Sequence, residues 1–241
     1  MAQDKIFAKK RKVIQDFNFG HATALVFDDM LQRSVPYYAE VQRMMGEIAA
    51  DYAQPGTSVV DLGCSTGTTL ITLDHFIPPE VKFVGVDYSP EMIKKAEEKL
   101  AKAGVKRELE FVCQDLNQGV RIENASVVIL NLTLQFVRPL YRHNLVSQIA
   151  QGLNKDGCLL LVEKVLSDDS TINRFFIKYY YDFKKRNGYS KMEISQKREA
   201  LENVLIPYQV EENIELLRNN GFPRVEIFFK WYNFCGFLAQ K

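Results

Sequence analysis

At 241 residues with 46% apolar side chains, the chain suits one decorated domain with an ample core. Its 31 basic and 30 acidic residues leave a net charge of +1, which gives no strong electrostatic footprint for a nucleic acid. The four scattered cysteines form no C-x-x-C pair and the three histidines show no metal spacing, so a disulfide framework and a metal site are not expected.

Residues 1–20 are polar and include Lys9-Lys10-Arg11-Lys12, a basic run that reads as a solvated, mobile tail. From His21 to Ala53 apolar residues recur near helical spacing, interrupted around Pro36. Gln54-Pro55-Gly56-Thr57 turns into a β-branched strand that ends in Asp61 and runs on into Leu62-Gly63-Cys64-Ser65-Thr66-Gly67. A strand followed by small residues and glycines lets backbone lie close against a ligand at the carboxyl edge of a parallel sheet. Leu70 to Phe76 should form a short helix.

A second strand, Lys82 to Asp87, again ends in an acid, and Asp87 lies 24 residues beyond Gly63. Nucleotide folds place a ribose-binding carboxylate at about that distance. Ser89, Pro90 and Glu91 announce a helix that Gly104 closes, with a possible Glu91–Lys95 pair on its surface. Further strands are expected at Leu109 to Asp115, Ser126 to Leu132 and Gly157 to Val165, with a helix from Leu140 to Leu153 before the last. Strand–helix alternation at this pitch means parallel βαβ units. Three acid-ended strands suit a ligand rich in hydroxyl and amino donors, and no Walker lysine follows the glycines.

The rhythm breaks over 166–206, which is polar and aromatic and reads as a helical lid at the ligand edge. Most rings of Phe175 to Phe183 are expected in a core or a subunit interface. A helix from Val210 to Leu217 and two strands, Arg224–Lys230 and Tyr232–Leu238, complete the chain. No apolar run reaches 18 residues and no signal peptide is visible, so a soluble, cytoplasmic protein is expected.

Four blocks then carry a resemblance over nearly the whole chain. They are Asp29 to Pro36, the Asp61–Gly67 loop, Ile122 to Phe136, and Asp182 to Asn203 with its Glu-Ile-Ser-Gln-Lys-Arg run. On these the chain resembles the carboxy-S-adenosyl-L-methionine synthases, which share the Rossmann-like class I methyltransferase fold. The resemblance implies an α/β domain with a seven-stranded, mostly parallel sheet, a C-terminal antiparallel hairpin, N-terminal helices and a helical lid. Its divisions are 1–56 (tail and helices), 57–165 (nucleotide-binding core), 166–206 (lid) and 207–241 (helix and hairpin).

It further implies that S-adenosylmethionine is a substrate, that prephenate supplies a carboxyl group to its sulfonium methyl, and that phenylpyruvate leaves. No metal is implied. A homodimer is, together with a separate tRNA transferase that consumes the product for wobble-uridine modification. Gly63, Cys64 and Ser65 would lie against the methionyl end, Asp87 would take the ribose hydroxyls, and Tyr88, Asp115 and Leu116 would surround adenine. Tyr38, Asn131 and Arg198 would stand at the reacting centre, Arg198 as the clamp on the new carboxylate.

Two other readings stand beside this one. An ordinary methyltransferase would act on a small molecule or tRNA, although the Asn-Pro-Pro-aromatic loop of amino methylation and a Pro-Cys pair are both missing. A non-catalytic S-adenosylmethionine sensor would bind ligand without turnover.

Overall fold

The computed structural model describes residues 2–241. Its sheet is built on β5 (Leu153–Leu166), whose stretch from Cys158 to Val162 is almost wholly buried. A strand with both faces covered must be apolar throughout, as this one is. Outward on one side lie β4 (Ala125–Asn131), β1 (Ser58–Leu62), β2 (Lys82–Asp87) and β3 (Leu109–Cys113), all parallel. On the other side β8 (Phe234–Gln240) and then β7 (Arg224–Trp231) run antiparallel. The order β3-β2-β1-β4-β5-β8-β7 matches the seven strands expected, and a two-residue strand β6 (Tyr208–Gln209) adds a pairing at the end of β5.

The pleat divides the strands' side chains between two cores. Val59, Val127, Ile129 and Leu160 face α2 (Tyr38–Tyr52), α3 (Thr68–Leu73) and α4 (Pro90–Ala103) through Met45, Leu70 and Leu100. Val60, Val128, Leu159 and Leu161 face α5 (Pro139–Gly152) and α8 (Val210–Arg218) through Leu145, Ile149 and Leu217. α4 begins and ends as its sequence dictates: the Ser89 hydroxyl accepts from Met92 N, and Gly104 takes φ +78. The Glu91–Lys95 pair does not form, because Glu91 reaches back to Ser89 and Lys95 pairs with Glu98.

Boundaries move where backbone geometry overrides side-chain pattern. The short helix expected from Leu70 starts at Thr68, because Gly67 at φ +75 turns the chain directly into it. The third strand stops at Cys113, and Asp115 instead caps a 3-10 turn over Leu116–Gln118.

The insertion forms α6 (Ser170–Arg186) and α7 (Lys191–Leu201), which begin with an Asp169 cap and a Ser190/Glu193 capping box. α6 fully buries only Tyr180 and Lys184, so less apolar contact holds it than holds the core helices. Arg33 in α1 (His21–Ser34) ties the insertion down by donating to the carbonyl of Asn187.

The N-terminal segment corrects an expectation. Lys9 to Lys12 are exposed, but their neighbours form a strap across α7 and not a free tail. Asp4 is 2% exposed and accepts from the Tyr189 hydroxyl at 2.6 Å; Gln196 binds the carbonyls of Phe7 and Lys9; Phe17 N donates to Ala200 O. Among the described residues no helix is long and apolar enough to cross a membrane.

Candidate functional site

A cavity of about 460 Å³ opens at the carboxyl ends of β1, β2 and β4, roofed by α6, α7 and the N-terminal strap. That volume and position suit a cofactor-sized ligand at the switch point of a parallel sheet. The structure brings all ten residues singled out from the sequence to its walls: Tyr38, Gly63, Cys64, Ser65, Asp87, Tyr88, Asp115, Leu116, Asn131 and Arg198.

The floor is the turn after β1. Gly63 N and Cys64 N both donate to Val86 O, which binds the turn to β2. Gly63 sits at φ +78, and a Cβ there would run into the Thr133 side chain. Gly63→Ala is therefore expected to lower stability by about 2–3 kcal/mol through left-handed strain plus overpacking. Denaturant melting checks this, and an unchanged midpoint would mean that the turn relaxes freely. Ser65 (φ 47) and Leu132 (φ 60) are non-glycine residues in the same left-handed region. A bulky side chain there signals a backbone held under constraint beside a functional site.

The constraint on Leu132 has a visible source. Leu132 N donates to Val162 O, and the buried Glu163 carboxylate accepts from Leu134 N and Gln135 N. Burial pushes Glu163 up to about 8, opposed by Arg142 and by those backbone donors.

One end of the cavity is rich in acceptors. Asp87 is 6% exposed, and its two oxygens accept from Ser65 N (3.0 Å) and Ser89 N (2.9 Å). Burial raises its pKa, and the backbone donors of Ser89 and Ser65 oppose the rise. Asp115 accepts twice from Asn117 and is half-buried. Tyr88 is 53% exposed and meets Phe19 edge-on, with ring centroids 6.1 Å apart. Phe19 itself comes from the strap, and its ring also meets Phe136.

Deeper in, Gln42 and Asn131 both donate to the Thr69 hydroxyl. Gln42 Oε1, Asn131 Oδ1 and Asp61 Oδ2 are buried and lack a hydrogen-bond partner among the described residues. Burial, with the charge of Asp87, pushes Asp61 up to about 7. Burial also raises Tyr38, with the charges of Asp28 and Asp61 adding to it, so its hydroxyl stays protonated and can donate. Unmatched buried acceptors are costly; of these three residues only Asn131 lines the cavity, where a ligand's ammonium or hydroxyl group would satisfy it. This set fits the donor-rich, cationic ligand expected from the sequence.

The other end is cationic. Lys164, Lys184, Lys197 and Arg198 line it. Arg198 is exposed and makes no hydrogen bond or ion pair among the described residues, so it stands at the rim and is free to move onto a ligand. The sequence reading missed the three lysines, Gln42, Thr69 and the strap aromatics Phe17 and Phe19. Lysine and glutamine read as solvated in a helix or near a strand end, and only the tertiary fold turns these inward. Asp61 had a signal, as the acid ending an apolar strand, but was not counted among the site residues.

Comparison with known proteins bears on the family and the fold. A family described as "Methyltransferase domain" matches residues 53–216. A carboxy-S-adenosyl-L-methionine synthase of Methylococcus capsulatus is 56% identical over 242 residues, covering 100% of both chains. One from Sulfurimonas denitrificans is 45% identical over 99% of each. Among solved structures, a putative S-adenosyl-L-methionine-dependent methyltransferase from Methanococcus maripaludis superposes with a TM-score of 0.62 at 17% identity, over 96% of this chain and 97% of that one. At that identity the superposition speaks for the fold alone.

Proposed function

The chain belongs to the carboxy-S-adenosyl-L-methionine synthases, within the methyltransferase fold, and from that membership we propose that it joins S-adenosylmethionine and prephenate. The products are carboxy-S-adenosyl-L-methionine and phenylpyruvate. As the prephenate ring becomes aromatic it loses carbon dioxide and hydroxide; the sulfonium methyl loses a proton and gains the carboxyl group, and water completes the balance.

The observation that carries this reading is the cavity's polarity. One end presents Asp87 and the unpaired amide oxygen of Asn131, with Asp61 and Gln42 buried outside the lining, and the other presents Arg198 and three lysines. A methyl donor has a cationic sulfonium, which gains nothing from four facing cations. A carboxylated product, and a carboxylate-bearing second substrate, both gain.

The chain's own groups then divide the work. Asp87 accepts from the ribose hydroxyls, and Asp115, Leu116 and Tyr88 surround the base. Gly63, Cys64 and Ser65 offer backbone against the methionyl end, where the Asn131 amide oxygen suits its ammonium. Tyr38 keeps its proton and donates at the reacting centre, beside Asn131. Arg198 swings from the rim to grip the new carboxylate with two parallel hydrogen bonds. Phe19 and Phe136 cover the cavity and exclude water, which favours reaction with carbon dioxide before it escapes. Mass spectrometry of the small molecule that copurifies with the protein tests the assignment. Carboxy-S-adenosyl-L-methionine is expected, and S-adenosylhomocysteine with a methylated acceptor would favour an ordinary methyltransferase.

We place the protein in the cytoplasm as a homodimer that passes its product to a separate tRNA transferase and does not itself bind tRNA. Exposed Phe175, Tyr179 and Tyr232 give apolar surface for the dimer, with the Tyr179 and Tyr232 rings 5.0 Å apart. Light scattering at micromolar concentration should give twice the mass of one chain; a monomer would remove the dimer from the account.

A further inference from the structure

The cationic end of the cavity is built in a way that the grip on the new carboxylate leaves unexplained. Lys184 is 5% exposed and Lys197 is 7% exposed. Lys164 on β5 is half-buried and lines the same cavity. The ammonium groups of Lys164, from β5, and Lys184, from α6 itself, lie over the Tyr180 ring, 5.3 and 4.8 Å from its centroid. Neither has a hydrogen bond to its ammonium or an ion pair among the described residues. Lys197 has a weak bond to Ser34 Oγ at 3.4 Å and Asp4 at 3.8 Å, and Asp4 already serves the Tyr189 hydroxyl. Lys184 and Lys197 therefore share one acid, and Lys164 has no acid partner.

Such an arrangement works against folding. Burial lowers the pKa of all three, Lys164 and Lys197 to about 8, and Lys184 is lowered further by its two lysine neighbours. Buried charges are normally paired, and an unpaired cluster persists only where something else requires it. A structural role would be served better by methionine or leucine. The cluster lines a cavity instead of lying in sealed core, so an anion can reach it.

We infer that Lys164, Lys184 and Lys197 form the subsite for the second substrate and recognise a small organic dianion with two separate carboxylates, leaving Arg198 for the carboxylate that is transferred. The identity of that dianion as prephenate rests on the reaction proposed above; the anion site itself does not. Two carboxylates neutralise two of the three cations and relieve their mutual repulsion, whereas a monocarboxylate such as phenylpyruvate relieves only part of it. The substrate is thus held and its decarboxylated product is released.

Lys184→Met and Lys164→Met test this, since methionine keeps the apolar stem. Calorimetry with S-adenosylhomocysteine present measures binding of malonate and of prephenate without turnover, and initial rates give the prephenate KM. Each substitution should weaken both dianions about thirty-fold or more. S-adenosylhomocysteine affinity should stay within about twofold, and the melting temperature of the ligand-free protein should rise, because an unpaired buried charge is gone. A merely structural lysine would give the opposite shift in melting temperature. Unchanged dianion affinity and prephenate KM in both variants, while the wild type still makes carboxylated product, overturns the subsite and leaves the reaction standing. A wild type that ignores prephenate but binds malonate, with that binding lost in both variants, keeps the anion site and overturns the reaction.

Discussion

Arg198→Ala should bind S-adenosylmethionine as well as the wild type does, and bind carboxy-S-adenosyl-L-methionine more weakly by about 2–4 kcal/mol. The guanidinium has no hydrogen bond or ion pair among the described residues, so its removal breaks neither. What it loses is a bidentate carboxylate pair, in which each charge-assisted bond contributes about 1.5–3 kcal/mol. The rim position holds the expected loss near or below the lower end of the sum, because solvent competes there. Arg198→Lys should fall between the two, since a point charge cannot match a planar fork. Titration calorimetry with both ligands on three proteins reads this directly. Equal losses for both ligands would place Arg198 on the methionyl carboxylate instead.

Asp87→Ala should weaken S-adenosylmethionine and the carboxylated product alike, by about 2–4 kcal/mol, through loss of two charge-assisted bonds to the ribose. It should also loosen the ligand-free protein, because the amides of Ser65 and Ser89 lose their acceptor. Asp87→Asn separates the effects: it retains one acceptor oxygen for the backbone while removing the charge. Unaltered affinity in Asp87→Ala would show that the ribose lies elsewhere in the cavity.

The contrast between these two residues shows what the sequence could carry. Asp87 was legible because a strand-ending acid at a set distance from a glycine turn is a local pattern with a local cause. The α4 helix was legible for the same reason, from Ser89 and Pro90 to Gly104. Arg198 was legible only by resemblance, since nothing in Gln196-Lys197-Arg198 says which side chain turns inward. In the structure Gln196 and Lys197 do, one to hold the strap and the other to join the lysine cluster. The strap was misread because its anchors, Asp4, Phe7 and Phe17, are single residues spaced around a solvated basic run. Its cause is a distant surface on α7 that no local pattern encodes. The start of β5 was missed likewise: Leu153 pairs with Ala125 across a register shift, ahead of the polar Asn154-Lys155-Asp156.

This cavity is expected to make a carboxylated sulfonium and not to pass on a methyl group. The most direct measurement is mass spectrometry of purified protein incubated with S-adenosylmethionine and prephenate carrying a labelled ring carboxylate. A new species heavier than S-adenosylmethionine by one labelled carbon dioxide should form, with phenylpyruvate in equal amount. Recovery of unlabelled S-adenosylmethionine and intact prephenate, from protein that binds S-adenosylmethionine, would contradict it.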